Sequence, residues 1–164
     1  MSIKRKEQKE RDEVELEEKV LYINRCARVV KGGRKFRFSA LLIVGDGHGT
    51  VGIGFSKAHE VADAIRKSAA SARKNLVSFE LNGTTIPHEV LVKWDGVKIL
   101  LKPAKEGTGV IAGSQVRAVL EVGGVRDVIA KSLGSNNPVN QVRAVVKALS
   151  ELKGRQEALD LRGK

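Results

Sequence analysis

The residues best suited to bind an anion lie in one short segment near the start of the chain. Residues 19–37 contain no acid and seven cations: Lys19, Arg25, Arg28, Lys31, Arg34, Lys35 and Arg37. Gly32 and Gly33 lie among them, and glycines let the backbone approach a phosphate or sugar closely. Arginine also binds phosphate through paired hydrogen bonds, which lysine cannot form. The segment therefore predicts phosphate binding, with a solvated glycine hairpin as the alternative.

A second glycine-rich segment, residues 107–113, precedes a predicted helix, whose free amides could hold a phosphate. A phosphoryl-transfer enzyme is thus one hypothesis, but the Gly-Lys-Ser/Thr ending of a nucleotide P-loop and a complete dinucleotide fingerprint are both absent. Lys102 and Lys105 lie nearby, so an RNA phosphate or a neighbouring protein is the better ligand for this segment. We expect a protein contact at the residues that open it, Gly107, Thr108 and Gly109.

Further polar residues are candidates for RNA contact. Lys57 lies at a predicted strand end, and the loop of Ser135, Asn136 and Asn137 precedes a helix that Asn137 is predicted to cap. For four cations on the exposed face of another helix, RNA and solvent remain equally open: Arg66, Lys67, Arg73 and Lys74.

No arrangement of residues predicts catalysis, a metal or a cofactor. Asp46 and His48 are near neighbours, but a glycine-rich turn explains both. Cys26 is the one cysteine, which we expect to be small and buried, and three scattered histidines give no metal site. We therefore expect a protein that is not an enzyme and has no small-molecule substrate.

Composition agrees with a polyanionic partner. The 164 residues include 30 Lys and Arg against 19 Asp and Glu, a net charge of +11, and a field of that sign attracts nucleic acid. With 41% hydrophobic residues the chain can form a packed core. No apolar run reaches the roughly 18 residues of a membrane span, and the charged start is unlike a signal peptide. We expect a cytoplasmic protein without a membrane partner.

Hydrophobic periodicity divides the chain into two small α+β units. In residues 19–82 we predict strands over 20–30, 36–44 and 50–55, with hairpin glycines at 45–49, and a helix over 61–76. The row Phe36, Phe38, Ala40, Leu42 and Val44 falls on one strand face. RNA bases could stack on such aromatics, but packing against the helix is the better use of an apolar row.

In residues 83–152 we predict a hairpin (86–93 and 97–102), a helix from Ser114 to Gly123-Gly124, a strand over 125–131 and a last helix after Asn137-Pro138. Residues 1–18 are predicted to be a flexible charged extension, and residues 153–164 a tail. A core of about 65–70 residues gives only roughly 3–5 kcal/mol, so we expect each unit to need stabilisation by a large partner.

Several sequence blocks, in order, resemble one family. They are Asn24-Arg25, Val30-Lys31-Gly32-Gly33-Arg34, Phe38-Ser39-Ala40-Leu41, Val44-Gly45-Asp46-Gly47, residues 51–58, residues 103–113, residues 116–121 and Gly134-Ser135-Asn136-Asn137-Pro138. Over residues 18–150 the set is similar to small-subunit ribosomal protein five of bacteria. That resemblance implies a first domain like a double-stranded-RNA-binding fold and a second with a left-handed strand–helix–strand crossover, where sequence alone favours the right-handed form.

The resemblance also implies partners. These are small-subunit rRNA, the neighbouring proteins four and eight and the region where messenger RNA enters, with a part in subunit assembly and translational accuracy. From the residues alone, a free-standing RNA chaperone or helicase accessory stays open as a further hypothesis.

Overall fold

The first half of the chain folds into an antiparallel sheet covered by one helix. The computed structural model describes residues 16–154, 159, 160 and 163. The sheet has the order β1-β2-β3-β4, and α1 connects its last two strands. Its elements are β1 (Glu17–Val30), β2 (Gly33–Gly45), β3 (Thr50–Ala58), α1 (Val61–Lys74) and β4 (Leu76–Ser78).

Both ends of this unit differ from the prediction. The helix ends at Lys74 instead of residue 76, because Leu76 pairs with Gly52 and begins a fourth strand. Glu17 and Glu18, predicted to lie in the extension, belong to β1, and Leu16 packs on the core beneath α1. Residues 1–15 of the predicted extension lie outside the described residues.

The second half forms a mixed sheet with two helices on one face. The sheet has the order β5-β6-β8-β7; β7 and β8 are parallel and joined through α2, and the other pairs are antiparallel. Its elements are β5 (Val90–Trp94), β6 (Val97–Pro103), β7 (Val110–Ile111), α2 (Ser114–Val122), β8 (Val128–Gly134) and α3 (Pro138–Ser150). The α+β class is confirmed, whereas the left-handed crossover stays a prediction.

Two predicted strands begin later than expected. Residues 86–89 precede β5, although Ile86 is fully buried in the core. Residues 125–127 precede β8 because their amides bond elsewhere: Val125 N donates to Leu120 O, and Arg126 N and Asp127 N donate to Thr84 O. Because each of these amides has a partner outside the sheet, strand β8 begins only at Val128.

The helix caps follow the sequence closely. The Asn137 side chain accepts a hydrogen bond from Val139 N at 3.1 Å, and Pro138 occupies the first turn of α3, where its missing N–H costs nothing. Gly123 ends α2, as predicted, and Gly124 follows with φ near +86°. Among the described residues, no helix has the length and apolar character needed to cross a bilayer.

The two units share one core, which the prediction of separate small cores missed. Strand β2 is buried on both faces: Leu42 and Val44 pack with α1, while Leu41 and Ile43 belong to the large cluster formed by the second unit. The β2–β3 turn is bonded to the end of α2, with Gly47 N donating to Val122 O at 3.1 Å and Gly49 N to Gly123 O at 3.0 Å. Each unit therefore stabilises the other.

Close packing of α1 on β3 requires glycine at position 54. A Cβ added there would overlap the backbone carbonyl of Ser68 on α1. We expect Gly54→Ala to lower the free energy of unfolding by about 1–3 kcal/mol, because helix and strand must move apart. Urea unfolding followed by circular dichroism measures the loss.

The matched control is Gly113→Ala, because a Cβ at Gly113 would meet no atom within 4 Å. Its cost is expected to stay below about 1 kcal/mol, the scale of a change at a helix cap. Equal losses in the two variants would contradict the steric explanation.

Candidate nucleic-acid interface

The predicted phosphate-binding segment forms a hairpin that extends past the rest of its sheet. Strand β3 pairs with β2 only as far as the Phe38–Ala58 pair, whereas β1 and β2 pair with each other out to Val30 and Gly33. We call residues 25–37 the hairpin arm. The sequence builds it by continuing two strands past the point where α1 and β3 end, and by closing them at Gly32, whose φ of +89° favours glycine.

Strand alternation places cations on both faces of the arm. Residues directly opposite in an antiparallel ladder share a face. Arg25, Arg34 and Phe36 lie on the face that continues toward α1, while Arg28, Lys35 and Arg37 lie on the other. Lys31 stands at the exposed tip. All six predicted cations of the arm are exposed, so the structure brings the whole set together on one projecting hairpin, divided between its two faces.

Repulsion within the arm is not balanced by acids. Arg28 lies directly opposite Lys35, and Arg37 follows on the same face. A like-charge pair in this position is destabilising. Within the described part of the chain, no cation of the arm forms an ion pair. An external anion placed along this face would remove the repulsion.

Phe36 corrects the prediction that its whole row packs in the core. Leu42 and Val44 are buried against α1, but Phe36 is 45% exposed because the arm extends past the helix. The Arg25 guanidinium lies 3.8 Å from the centroid of the Phe36 ring, a cation–π contact. The ring therefore orients a cation instead of filling the core. Cys26, predicted to be buried, is half-buried on the same arm.

Lys57 lines a cleft between the arm and α1. A cleft of about 530 Å³ lies at the base of the arm and is lined by Arg37, Lys57, Arg66 and Lys67. Asp63 is also part of its wall and lies 3.6 Å from Arg66 in a weak surface pair. With four cations and one acid, the cleft extends the positive surface of the arm onto α1.

The four helix cations whose role was open therefore divide into two pairs. Arg66 and Lys67 line the basic cleft. Arg73 instead bonds Glu18 of β1, Nη2 to Oε1 at 3.0 Å, and so ties the end of the helix to the first strand. Lys74 is exposed in the last turn, beyond the cleft.

The glycine-rich loop is organised by a carboxylate that sequence analysis missed. Asp127 lies just beneath the surface, 4% exposed, and accepts a hydrogen bond from Gly109 N at 2.9 Å. The pKa of Asp127 lies below its usual range. The main cause is a hydrogen bond from the Thr84 side chain, followed by the backbone amides of Gly109, Gly107 and Thr108. The Gly109 amide, one of those that the alternative hypothesis offered to a phosphate, thus already binds an acid of the chain. The one sequence feature that could have indicated this contact is the presence of an acid, Asp127, within the predicted strand 125–131.

The remaining predicted contacts lie outside the arm and the cleft. Lys102 is on β6 and pairs with Glu89 at 3.3 Å, while Gly107 and Thr108 form an exposed turn with Lys105. The loop of Ser135, Asn136 and Asn137 lies beside the β5–β6 turn, where Ser135 N donates to Gly96 O at 3.1 Å. The structure therefore does not bring these residues together with the arm.

Asp46 and His48, which are near neighbours in the sequence, take part in a backbone turn. Asp46 accepts hydrogen bonds from His48 N at 2.8 Å and Thr50 N at 2.9 Å, which closes the β2–β3 turn. Burial raises the pKa of Asp46, but these hydrogen bonds outweigh burial and leave it below its usual value. Among the residues that the structure describes, no group of three His, Cys, Asp or Glu side chains could hold a metal ion.

Comparison with known proteins gives consistent matches along the chain. Residues 16–80 match the family described as ribosomal protein S5, N-terminal domain, and residues 92–162 match ribosomal protein S5, C-terminal domain. Small ribosomal subunit protein uS5 of Protochlamydia amoebophila is 61% identical over 158 residues, covering 96% of this chain and 95% of the relative. The protein of the same name from Chlamydia felis is 60% identical over 151 residues, covering 92% of each chain.

Asp127→Asn tests the anchor of the glycine-rich loop. The neutral amide accepts weaker hydrogen bonds from Thr84 and Gly109, so the variant is expected to be less stable at neutral pH. The pKa of Asp127 is lower in the folded chain than the ordinary value of about 3.9. Its carboxylate thus stabilises the fold above about pH 4, and this stability is lost as pH falls through the folded pKa.

The difference in unfolding free energy between the natural chain and the variant is therefore expected to narrow on acidification below about pH 4. Urea titrations at a series of pH values measure it, with the exposed Asp63→Asn as the charge-matched control. A difference that stays constant with pH would contradict the assigned role of the carboxylate.

Proposed function

Because the chain belongs to the ribosomal protein S5 family, we propose that it is a structural component of the small ribosomal subunit and binds rRNA through the hairpin arm and the basic cleft. The observation that carries this proposal is the arm itself. Its cations project from the sheet on a two-stranded ribbon and find no acid among the described residues. Folded RNA supplies phosphates at the required density.

The mechanism is electrostatic and depends on shape. A ribbon only two strands wide enters a narrow space, and its two charged faces neutralise phosphates on both sides of that space. Arg25 covers the ring of Phe36, so the aromatic serves the cation rather than a base. Recognition then depends on backbone geometry and phosphates, as in proteins that read RNA by its shape. The shared core beneath β2 fixes the base of the arm.

Contacts with neighbouring proteins form the second part of the proposal. Gly107, Thr108 and Gly109 form a turn whose inner amide is held by Asp127, so the turn presents a fixed backbone to a partner. Proteins four and eight are the proposed neighbours, on the side of the subunit where messenger RNA enters, with a contribution to assembly and decoding accuracy. Lys102, Lys105 and the loop at residues 135–137 remain proposed RNA contacts.

The rival hypotheses have less support. A nucleotide-dependent enzyme would need the loop amides for phosphate, but the Gly109 amide binds Asp127. The relatives are named as ribosomal proteins, and we assign this chain no catalytic role. A free-standing RNA chaperone would sediment away from ribosomal particles, whereas our proposal requires sedimentation with the small subunit in moderate salt.

Replacing Arg25, Arg28, Lys31 and Arg34 together by alanine is expected to weaken binding to small-subunit RNA. Each phosphate neutralised contributes about 0.7–0.9 to the slope of log affinity against log salt concentration. The slope of the quadruple variant is therefore expected to be shallower by about 3. Filter binding at several salt concentrations measures it.

The matched control removes the same charge elsewhere through Lys74→Ala, Arg126→Ala, Lys131→Ala and Lys153→Ala, all exposed positions away from the arm. Its slope is expected to stay close to that of the natural chain, and circular dichroism of both variants is expected to be unchanged. Undiminished RNA binding and assembly of the arm variant would remove the arm from the interface.

Phe36→Leu is expected to weaken RNA binding about two- to fivefold, the equivalent of a cation–π contact of about 0.5–1 kcal/mol. The leucine leaves the Arg25 guanidinium without the ring that orients it. In an Arg25→Ala background the same substitution is expected to have no effect. An equal loss in both backgrounds would show that the ring itself contacts RNA.

A further inference from the structure

A second cleft, of about 400 Å³, lies between the two units and shares no lining residue with the basic cleft. We call it the inter-unit cleft. Leu41 and Ile53 line it from the first unit, and Val139 and Val146 of α3 line it from the second. Sites for small ligands are mostly apolar clefts of about 300–1,000 Å³. The inter-unit cleft therefore has the size and the apolar wall of a ligand site.

Each unit contributes one exposed aromatic ring to this cleft. Phe55 of β3 is 39% exposed and Trp94 of β5 is 37% exposed. An aromatic side chain that lines a cleft and stays open to water presents a surface on which another flat ring stacks. The two rings therefore favour an aromatic ligand.

A lysine lies beside each of these rings without covering it. Lys147 Nζ is 5.6 Å from the centroid of the Trp94 ring, and Lys57 Nζ is 5.9 Å from that of the Phe55 ring. Both distances are close to the limit of about 6 Å for a cation–π contact. The guanidinium on the hairpin arm is much nearer to its ring, at 3.8 Å. The rings of the inter-unit cleft thus stay open for stacking and have a positive charge close by.

The wall that α3 supplies to the cleft is positive. Arg143 and Lys147 lie one helical turn apart, and both line the cleft. Glu151 lies 3.7 Å from Lys147 in a surface pair, which contributes little. Within the described residues Arg143 forms no ion pair. Like charges at this spacing repel each other, and an anionic group in the cleft would remove the repulsion.

Polar groups on α1 and just after it line the same space. Ser71 and Asn75 are part of the wall, and Asn75 Nδ2 donates to Ser71 O at 3.0 Å. That hydrogen bond orients the side-chain amide and leaves its oxygen available as an acceptor. The edge of a nucleic-acid base carries hydrogen-bonding groups that suit such a wall.

We propose that the inter-unit cleft binds one nucleotide, with its base against Phe55 and Trp94 and its phosphate at Arg143 and Lys147. An unpaired RNA nucleotide and a free mononucleotide share this chemistry. An acidic peptide would pair with the two cations but would leave the open rings without a stacking partner. The inference goes beyond the proposed function, in which the arm and the basic cleft bind phosphates without contacting a base.

Tryptophan fluorescence tests this site directly. Trp94 is the single tryptophan of the chain, so the signal reports on this cleft alone. Adenosine monophosphate, added to the purified full chain, is expected to quench the fluorescence to saturation, because its base stacks on the indole ring. Ribose phosphate has the sugar and the phosphate without the base, and it is expected to cause no quenching.

Two variants remove the two kinds of contact separately. Arg143→Ala combined with Lys147→Ala is expected to weaken the affinity for adenosine monophosphate at least roughly tenfold, because hydrogen bonds to charged groups are lost. Phe55→Leu keeps both cations and is expected to weaken the affinity about fivefold or more through the lost stacking contact. The matched control, Arg126→Ala with Lys131→Ala, removes one arginine and one lysine of the second unit outside the cleft. It is expected to bind like the natural chain, and circular dichroism checks that each variant is folded.

A short oligoadenylate distinguishes the two sources of the nucleotide. Tighter binding of the oligomer than of the monomer would assign the cleft to unpaired RNA, and binding of the monomer alone would assign it to a free nucleotide. The variant with four arm cations replaced by alanine is expected to show the same quenching by adenosine monophosphate as the natural chain. The result at the cleft is therefore independent of the arm.

Quenching that does not saturate would overturn the nucleotide site. So would a folded Arg143→Ala, Lys147→Ala variant that binds adenosine monophosphate as tightly as the natural chain. Either outcome would leave the proposed function intact. Undiminished binding of small-subunit RNA by the arm variant would instead contradict the proposed function and leave the nucleotide site in place.

Discussion

Repulsion among the cations of the hairpin arm is the interaction on which the rest of the account depends. Arg28 and Lys35 are held opposite each other, and no acid of the described residues forms an ion pair with either of them. A flexible segment would spread these charges apart. A hydrogen-bonded ribbon cannot, so the fold keeps a localised positive field that an array of phosphates satisfies. The RNA binding that we propose would relieve this repulsion.

The fold maintains that geometry by burying β2 on both faces. One face packs against α1, and the other enters the core of the second unit. Residues 39–45 of the strand are therefore fixed in the core, and residues 33–37 of the same strand extend from it as part of the arm. The Lys19–Glu121 ion pair at 2.9 Å and the bonds between the β2–β3 turn and α2 hold the two units together. The second unit thus supports the hairpin arm, the proposed RNA-binding element of the first.

Much of this was predictable from local pattern. The charged segment, the hairpin glycines, α1 and the Asn137 cap all depend on residues close in sequence, and the structure contains them where expected. Long-range contacts were not predictable in this way. Nothing local shows that α1 ends short of Phe36, so an aromatic in an apolar row was assigned to the core. The bond from Gly109 to Asp127 joins residues 18 apart and likewise escaped periodicity.

The same limit applies to the shared core. Each half has the hydrophobic pattern of a small independent unit, and only the tertiary structure shows that Leu41 and Ile43 face the other half. The local sequence pattern agrees well with the helices and strands of the final fold. The contact between the two units and the hydrogen bond from Gly109 to Asp127 instead join residues that are distant in sequence, so no local pattern predicts them.

Cys26 offers the most direct measurement of the central claim. It is the single cysteine of the chain and lies at the base of the arm, between Arg25 and Arg28 and opposite Arg37. Iron tethered to its thiol in assembled small subunits generates hydroxyl radicals that cut nearby RNA. We predict strong cleavage at a few discrete rRNA positions, which is absent when the Cys26→Ser variant is treated in the same way. Cleavage no greater than in that control, with the protein present in the particle, would place the arm in solvent and contradict the account.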